Sequence, residues 1–233
     1  MKYTVTKEPM AMLEIELARD EQITAEAGSM VYMKGDIEIK TRTQKGGFFK
    51  KLSISALGQE TFFVNDYIAH GDTCILGLTG PQLGDIWRMV ANPGTGFMIQ
   101  SGSYICSTPD IQLDTEWQGF KKGLFGTGLF MIKVSGVGDV FLNAYGGIVQ
   151  KELLAGEKII IDNYHLVAFS ENMSYRVTKF GGLKTTILGG EGLVTEITGP
   201  GTAYFQTKNL RQLALALSRY IPKSSSSSVS FGS

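Results

Sequence analysis

The side chains able to do chemistry are few and scattered. His70 and His165 are the only histidines; Cys74 follows His70 by four residues, but no further cysteine or histidine stands beside either to complete a ligand set. A histidine-based zinc site would need carboxylates gathered from distant parts of the chain. Cys74 and Cys106 are too few for a disulfide framework and read as reduced, partly buried thiols. The chain has no H-E-x-x-H, no G-x-S-x-G and no Gly-Lys pair for a phosphate loop. Glu191, set between glycines in Gly189-Gly-Glu-Gly192, is the most pointed carboxylate. The alternative to a ligand-amine or metal contact is a residue that faces solvent at a hairpin tip or pairs with a neighbouring lysine, and a lone carboxylate favours that second reading. His165 reads as a hydrogen-bonded structural histidine, Thr207 as a helix N-cap, and Trp87 and Trp117 as core or interface anchors. No catalytic residue, metal ligand or cofactor is assigned, and an enzyme is not expected.

One constellation is more suggestive. Lys45-Gly-Gly-Phe-Phe-Lys-Lys51, Gly119-Phe-Lys-Lys-Gly-Leu-Phe125 and Lys179-Phe-Gly-Gly-Leu-Lys184 each combine glycine, aromatic or leucine, and lysine. Grouped at one end of a molecule, Phe48, Phe49, Lys50, Lys51, Phe120, Lys121, Lys122, Phe125 and Lys184 would form a surface for peripheral contact with an anionic membrane. The rings would enter at headgroup level, and each lysine would add about 1 kcal/mol. The competing reading makes the same stretches hairpin turns packed together or against a second subunit, with the lysines as a solvated rim.

The elements that must position these residues are strands. Glycine is abundant at 29 of 233 residues and proline scarce at 6, which suits many short strands joined by tight turns. Gly28-Ser-Met-Val-Tyr-Met-Lys-Gly-Asp-Ile-Glu-Ile-Lys-Thr41 matches Gly102-Ser-Tyr-Ile-Cys-Ser-Thr-Pro-Asp-Ile-Gln-Leu-Asp-Thr115 without a gap, and Tyr164 to Val177 keeps the apolar positions. Gly128 to Asn143 and Gly192 to Gln206 each read as strand, glycine turn, strand, the pattern of a β-hairpin. Ser53 to Asn65 is a looser copy. The expected fold is all-β, a β-sandwich of three pseudo-repeated modules at 1–74, 75–146 and 147–208, packed as one unit. Leu210, Leu213, Leu217 and Ile221 predict one short C-terminal helix over 209–222, stopped by Pro222. A Ser-rich tail, expected to be disordered, fills 223–233.

Glu26-Ala-Gly-Ser-Met-Val-Tyr-Met, Gly136-Val-Gly-Asp-Val-Phe-Leu-Asn-Ala-Tyr-Gly146, Gly190-Glu-Gly-Leu-Val194 and Gly199-Pro-Gly-Thr-Ala-Tyr-Phe-Gln-Thr-Lys208 occur in that order. Together they resemble the altered-inheritance-of-mitochondria type 24 family, in its bacterial and archaeal branch. The resemblance spans about Glu26 to Leu210. It implies a fold similar to three copies of the tryptophan RNA-binding attenuation protein subunit. For the eukaryotic members it implies a part in organising the mitochondrial inner membrane. It carries no catalytic residue onto this chain.

Lysine plus arginine and aspartate plus glutamate both number 22, so net charge is zero and no general affinity for nucleic acid follows. DNA is not expected as a partner, and RNA would find only the local lysine stretches. Met89 to Pro109 carries no charge, but Asn92, Pro93, Gly94, Gln100 and Gly102 interrupt it, so it does not read as a membrane span. No signal segment opens the chain, and the expected compartment is the cytoplasm. Charged residues make up only 19%, few for blunting sheet edges, and a homo-oligomer is expected. Two function classes remain. One is a non-enzymatic scaffold or interaction protein, associated with a membrane surface in one version. The other is a small-ligand or RNA binder, by fold analogy alone.

Overall fold

A computed structural model describes residues 1–6, 10–43, 63–114, 131–179 and 193–221. The described residues form nineteen strands, one 3-10 turn and one helix. After β1 (Lys2–Thr6) come β2 (Met12–Leu17), β3 (Gln22–Glu26), β4 (Met30–Lys34), β5 (Ile37–Thr43), β6 (Phe63–Ala69) and β7 (Cys74–Leu78). Next are β8 (Ile86–Ala91), β9 (Phe97–Gln100), β10 (Tyr104–Ser107), β11 (Ile111–Asp114), β12 (Met131–Gly136) and β13 (Gly138–Asn143). The last are β14 (Ile148–Leu153), β15 (Lys158–Asp162), β16 (Leu166–Ser170), β17 (Ser174–Lys179), β18 (Leu193–Thr198) and β19 (Gly201–Gln206), then helix α1 (Leu210–Ser218).

Four antiparallel sheets result, in the orders β1-β2-β7-β4, β5-β6-β3-β10-β13-β8, β11-β12-β9-β16-β19-β14 and β15-β18-β17. One pairing order recurs along the chain. The triplets β4-β7-β2, β10-β13-β8 and β16-β19-β14 have the same connectivity, as do β5-β6-β3, β11-β12-β9 and β17-β18-β15. The registers coincide too. Met30 faces Leu78, Tyr104 faces Leu142 and Leu166 faces Phe205, and one residue later each ladder shifts at a β-bulge. The two six-stranded sheets are joined by β3 against β10 and by β9 against β16. The boundary expected at residue 74 falls on the first residue of β7.

The pattern of each strand follows its surroundings. In β2, Leu13, Ile15 and Leu17 are buried while Glu14 and Glu16 point outward, the alternation of a strand with one wet face. By contrast β10 and β16 lie inside six-stranded sheets and are apolar and buried almost throughout. Three apolar clusters fill the layers. The first holds Leu13, Ile15, Tyr67 and Phe141, the second Ile99, Tyr104, Ile132 and Leu142, and the third Met98, Leu166, Phe169 and Ile197. Each fully buried Leu, Ile or Phe contributes about 1.5–3 kcal/mol.

Two expectations need correcting. The glycine turns at 136–138 and 199–201 do not close hairpins. β12 pairs with β9 and β11, whereas β13 pairs with β10 and β8, so the chain turns a corner from one sheet into another. Gly136 and Gly138 have φ of 106° and 144°, which side-chain-bearing residues rarely adopt. A Cβ at Gly136 would also collide with the Asp110 carbonyl. Likewise β18 belongs to the three-stranded sheet and β19 to a six-stranded one. The helix is shorter than expected, and its N-cap is Asn209. Asn209 Oδ1 accepts from the Gln212 amide at 2.8 Å, while Thr207 Oγ1 accepts from the Gly147 amide at 2.9 Å.

Candidate interaction surface

All nine residues proposed for membrane contact, Phe48, Phe49, Lys50, Lys51, Phe120, Lys121, Lys122, Phe125 and Lys184, lie outside the described residues, as do Glu191 and Trp117. The flanking strands are described: the stretches join β5 to β6, β11 to β12 and β17 to β18, which pair antiparallel in every case.

The remaining candidates have structural partners. His165 Nδ1 donates to the Gln206 carbonyl at 2.7 Å, which leaves Nε2 to accept from Asn209 Nδ2 at 2.7 Å. The imidazole thus holds the residue that caps α1. His70 Nε2 lies 3.1 Å from Glu38 on the surface. Cys74 and Cys106 are both free and buried, and burial holds the Cys106 thiol well above its ordinary pKa. A protonated, enclosed thiol is a poor nucleophile. Trp87 packs half-buried against the second core cluster.

The most developed polar cluster joins β3, β5, β6 and β10. Asp66 accepts from Arg42 Nε at 2.6 Å, Arg42 Nη2 at 3.0 Å and Thr24 Oγ1 at 2.6 Å. Burial opposes ionisation of Asp66, but the bonds from Arg42 and Thr24 outweigh it and the pKa falls below the usual aspartate value. Beside it the Tyr104 hydroxyl lies 3.0 Å from both the Thr24 carbonyl and Ser107 Oγ. Burial drives the Tyr104 pKa far upward, so the phenol stays neutral. The cluster pairs a carboxylate with a guanidinium, and Thr24 links that pair to the neutral phenol. It stitches a sheet seam, and among the described residues no group of three or more His, Cys, Asp or Glu could hold a metal.

The surface that stands apart is apolar. Strand β4 reads Met-Val-Tyr-Met-Lys, and Met30, Val31, Tyr32 and Met33 are 41%, 51%, 36% and 44% exposed. Their counterparts by register are Tyr104, Ile105, Cys106 and Ser107 in β10, and Leu166, Val167, Ala168 and Phe169 in β16. None of those eight exceeds 1% exposure. The difference is a neighbour. β10 is flanked by β13 and β3, and β16 by β19 and β9, but β4 has β7 on one side and no described strand on the other. The strand is held firmly where it is paired. The Tyr32 ring lies over Gly77 of β7, where a Cβ would collide with it, and its hydroxyl donates to Glu14 of β2. That hydrogen bond raises the Tyr32 pKa. Sequence reasoning matched this segment to Gly102–Thr115, and the signal for exposure was present only as four apolar residues in a row.

A second exposed apolar set lies on α1, where Leu210, Leu217, Tyr220 and Ile221 share one side and Leu215 lies on the other, in or just after the helix. Among the described residues no helix is long and apolar enough to cross a membrane.

Comparison with known proteins accords with this architecture. An uncharacterized protein of Streptococcus pyogenes serotype M6 is 30% identical over 234 residues, covering 97% of this chain and 93% of that protein. The crystal structure of another Streptococcus pyogenes protein matches with a TM-score of 0.76 at 26% identity, covering 94% of this chain and 99% of that one. The family model described as mitochondrial biogenesis AIM24 matches residues 3–208, nearly all of the strands above, and the chain belongs to that family.

Proposed function

We propose that this protein acts by binding, as a non-enzymatic β scaffold, and that its working surface is the open edge of β4. The observation behind the reading is the run Met30–Met33, exposed at a sheet edge although every register counterpart is buried. Natural sheets cover or charge such edges, because unpaired N–H and C=O groups beside apolar side chains recruit another chain. Several other outermost strands carry charges in their interiors, as with Glu38, Lys40 and Arg42 on β5, Arg88 on β8, and Lys151 and Glu152 on β14, whereas β1, β11 and β15 carry them only at their ends. β4 carries only Lys34, at its end. The polar side chains support the same reading, since Asp66, His165, Tyr104 and Cys106 are engaged in structure or held neutral by burial.

The test is a photoreactive amino acid placed at Val31 in cells. Adducts are expected at Val31 and not at Glu16, an exposed residue on β2, which β7 separates from β4. Equal labelling at both positions, or none at Val31, would overturn the reading. The mass and composition of the adduct distinguish a protein from RNA or lipid.

A further inference from the structure

We infer that the occupant of the β4 edge is β15 of a second copy of this chain, so that copies associate head to tail. The inference rests on the binding role proposed for β4 and adds the identity of the partner.

Two internal seams provide the template. Across the first, Cys106 of β10 faces Ala25 of β3, and Ser107 faces Thr24. Across the second, Ala168 of β16 faces Ile99 of β9, Phe169 faces Met98 and Ser170 faces Phe97. Ala25 and Ile99 each lie five residues before the residue that precedes the bulge, Met30 and Tyr104 respectively. The same count back from Leu166 reaches Ile161 of β15. β15 is therefore the counterpart of β3 and β9, and β4 is the counterpart of β10 and β16. Within one chain the first pair of partners is used, then the second, and one half of a third seam is left at each end. Both halves are sheet edges among the described residues.

The exposed side chains agree. Ile160 is 56% exposed, whereas its counterparts Thr24 and Met98 are at 3% and 2%. β15 reads Lys-Ile-Ile-Ile-Asp, with its charges at the ends and an apolar centre, the same design as β4. The third core cluster is also incomplete. The first takes Ile86, Ile105, Cys106 and Phe141 from strands β8, β10 and β13, and the second takes Val167, Ala168 and Tyr204 from β16 and β19. The third has no residue from β2, β4 or β7. A copy that presents β4-β7-β2 to β15 would build the strand order β17-β18-β15-β4-β7-β2, the order of the two six-stranded sheets already present, with β1 as a seventh strand beyond β2. Transfer of the internal registers sets Tyr32 opposite Ile161, Met33 opposite Ile160 and Lys34 opposite Ile159.

Because the two surfaces differ, the contact is heterologous. It closes into a ring if the rotation between copies permits and otherwise continues as a filament. The occupant is distinguished from two others: β15 of the same chain, and an unrelated protein.

The test uses cysteine pairs. Opposed residues in an antiparallel ladder have Cα atoms about 4.5–5.5 Å apart, within disulfide range. Met33→Cys on one preparation and Ile160→Cys on another, mixed under mild oxidation, should give a disulfide-linked species of twice the 25.4 kDa chain. Met33→Cys mixed with Lys151→Cys, an exposed position on β14, should give none. With both substitutions on one chain, a ladder of multiples is expected. A link confined to single chains would overturn the inference by showing that the chain closes on itself. Ile160→Pro removes an edge amide and should reduce the particle seen by light scattering to one chain, with the far-ultraviolet circular dichroism unchanged. Wild-type protein that scatters as a single chain at micromolar concentration, with no linked species in the mixture, also overturns it. If Val31 still yields adducts, now with a different protein, the binding role of β4 survives and the identity of its partner does not.

Discussion

Asp66 is held by Arg42 and Thr24 across three strands, and that arrangement makes the stability of the chain depend on acidity. Its folded pKa lies below the ordinary value of 3.8, so the native state binds the proton less tightly than the unfolded chain. The stabilisation is complete above that ordinary value and is lost as the pH falls through the lower folded value. Asp66→Asn should cost about 1 kcal/mol at pH 7, since the Arg42 side of the pair is half in water. That is about 2–4 °C in melting temperature. The deficit relative to wild type should shrink as thermal melts are run below pH 4, and a constant deficit would show that the carboxylate charge is not what matters. Gly77→Ala tests a different contact. Its Cβ would collide with the Tyr32 ring, so β4 must shift, at about 1–3 kcal/mol. Guanidinium titration would measure the loss, and an unchanged midpoint would mean that the ring is free to swing away.

Among the elements, α1 is the least attached. No residue of the helix is buried, and its start depends on Asn209, itself held by His165. Asn209→Ala should lower local helix stability by about 1 kcal/mol, or about fivefold in the opening equilibrium. Hydrogen exchange over Leu213–Ser218 should accelerate accordingly while the global melting temperature stays put. A fall in the global transition would mean that α1 is coupled to the sheets. The element scale also shows what could be read from the chain and what could not. Apolar spacing at Leu210, Leu213 and Leu217 located the helix, but capping by Asn209 depends on His165 lying across from it, 44 residues away. Strand, glycine, strand at 128–143 has the local appearance of a hairpin. Whether β13 folds back onto β12 or crosses to β10 is decided by long-range pairing and by the corner at Gly136 and Gly138, which the local pattern does not encode. β4 is a sharper case. Met30–Met33 is chemically like Ile105 or Val167, and exposure depends on whether another strand arrives, a property of neighbours that no segment carries in its own residues. The lysine and phenylalanine stretches fall outside the described residues and add nothing to this comparison.

At the scale of the whole molecule, the two six-stranded sheets couple the three apolar clusters. Each such sheet lies between two clusters: Phe141 and Leu142 of β13 enter the first and the second, and Ile99 and Met98 of β9 enter the second and the third, so loss of one cluster strips a face from the next. Phe169→Ala in the third cluster should cost about 3–5 kcal/mol. Calorimetry should show it as a shift of one common transition, as for Ile15→Ala in the first. Two separated transitions in either variant would mean that neighbouring clusters melt independently.

The seams also set an order of events at the ribosome. Ala25 of β3 finds its partner only when Cys106 has been made, 81 residues downstream, and Ile99 of β9 waits for Ala168. At about 5–20 residues per second, the first wait lasts about 4–16 s. During synthesis one bare edge is therefore always present, and it moves along the nascent chain as each seam closes. Holdase chaperones that shield extended apolar segments would meet the edge of β3 first, then that of β9, and finally that of β15. On polysomes, where neighbouring nascent chains emerge close together, the last of these finds no partner among the described residues of its own chain.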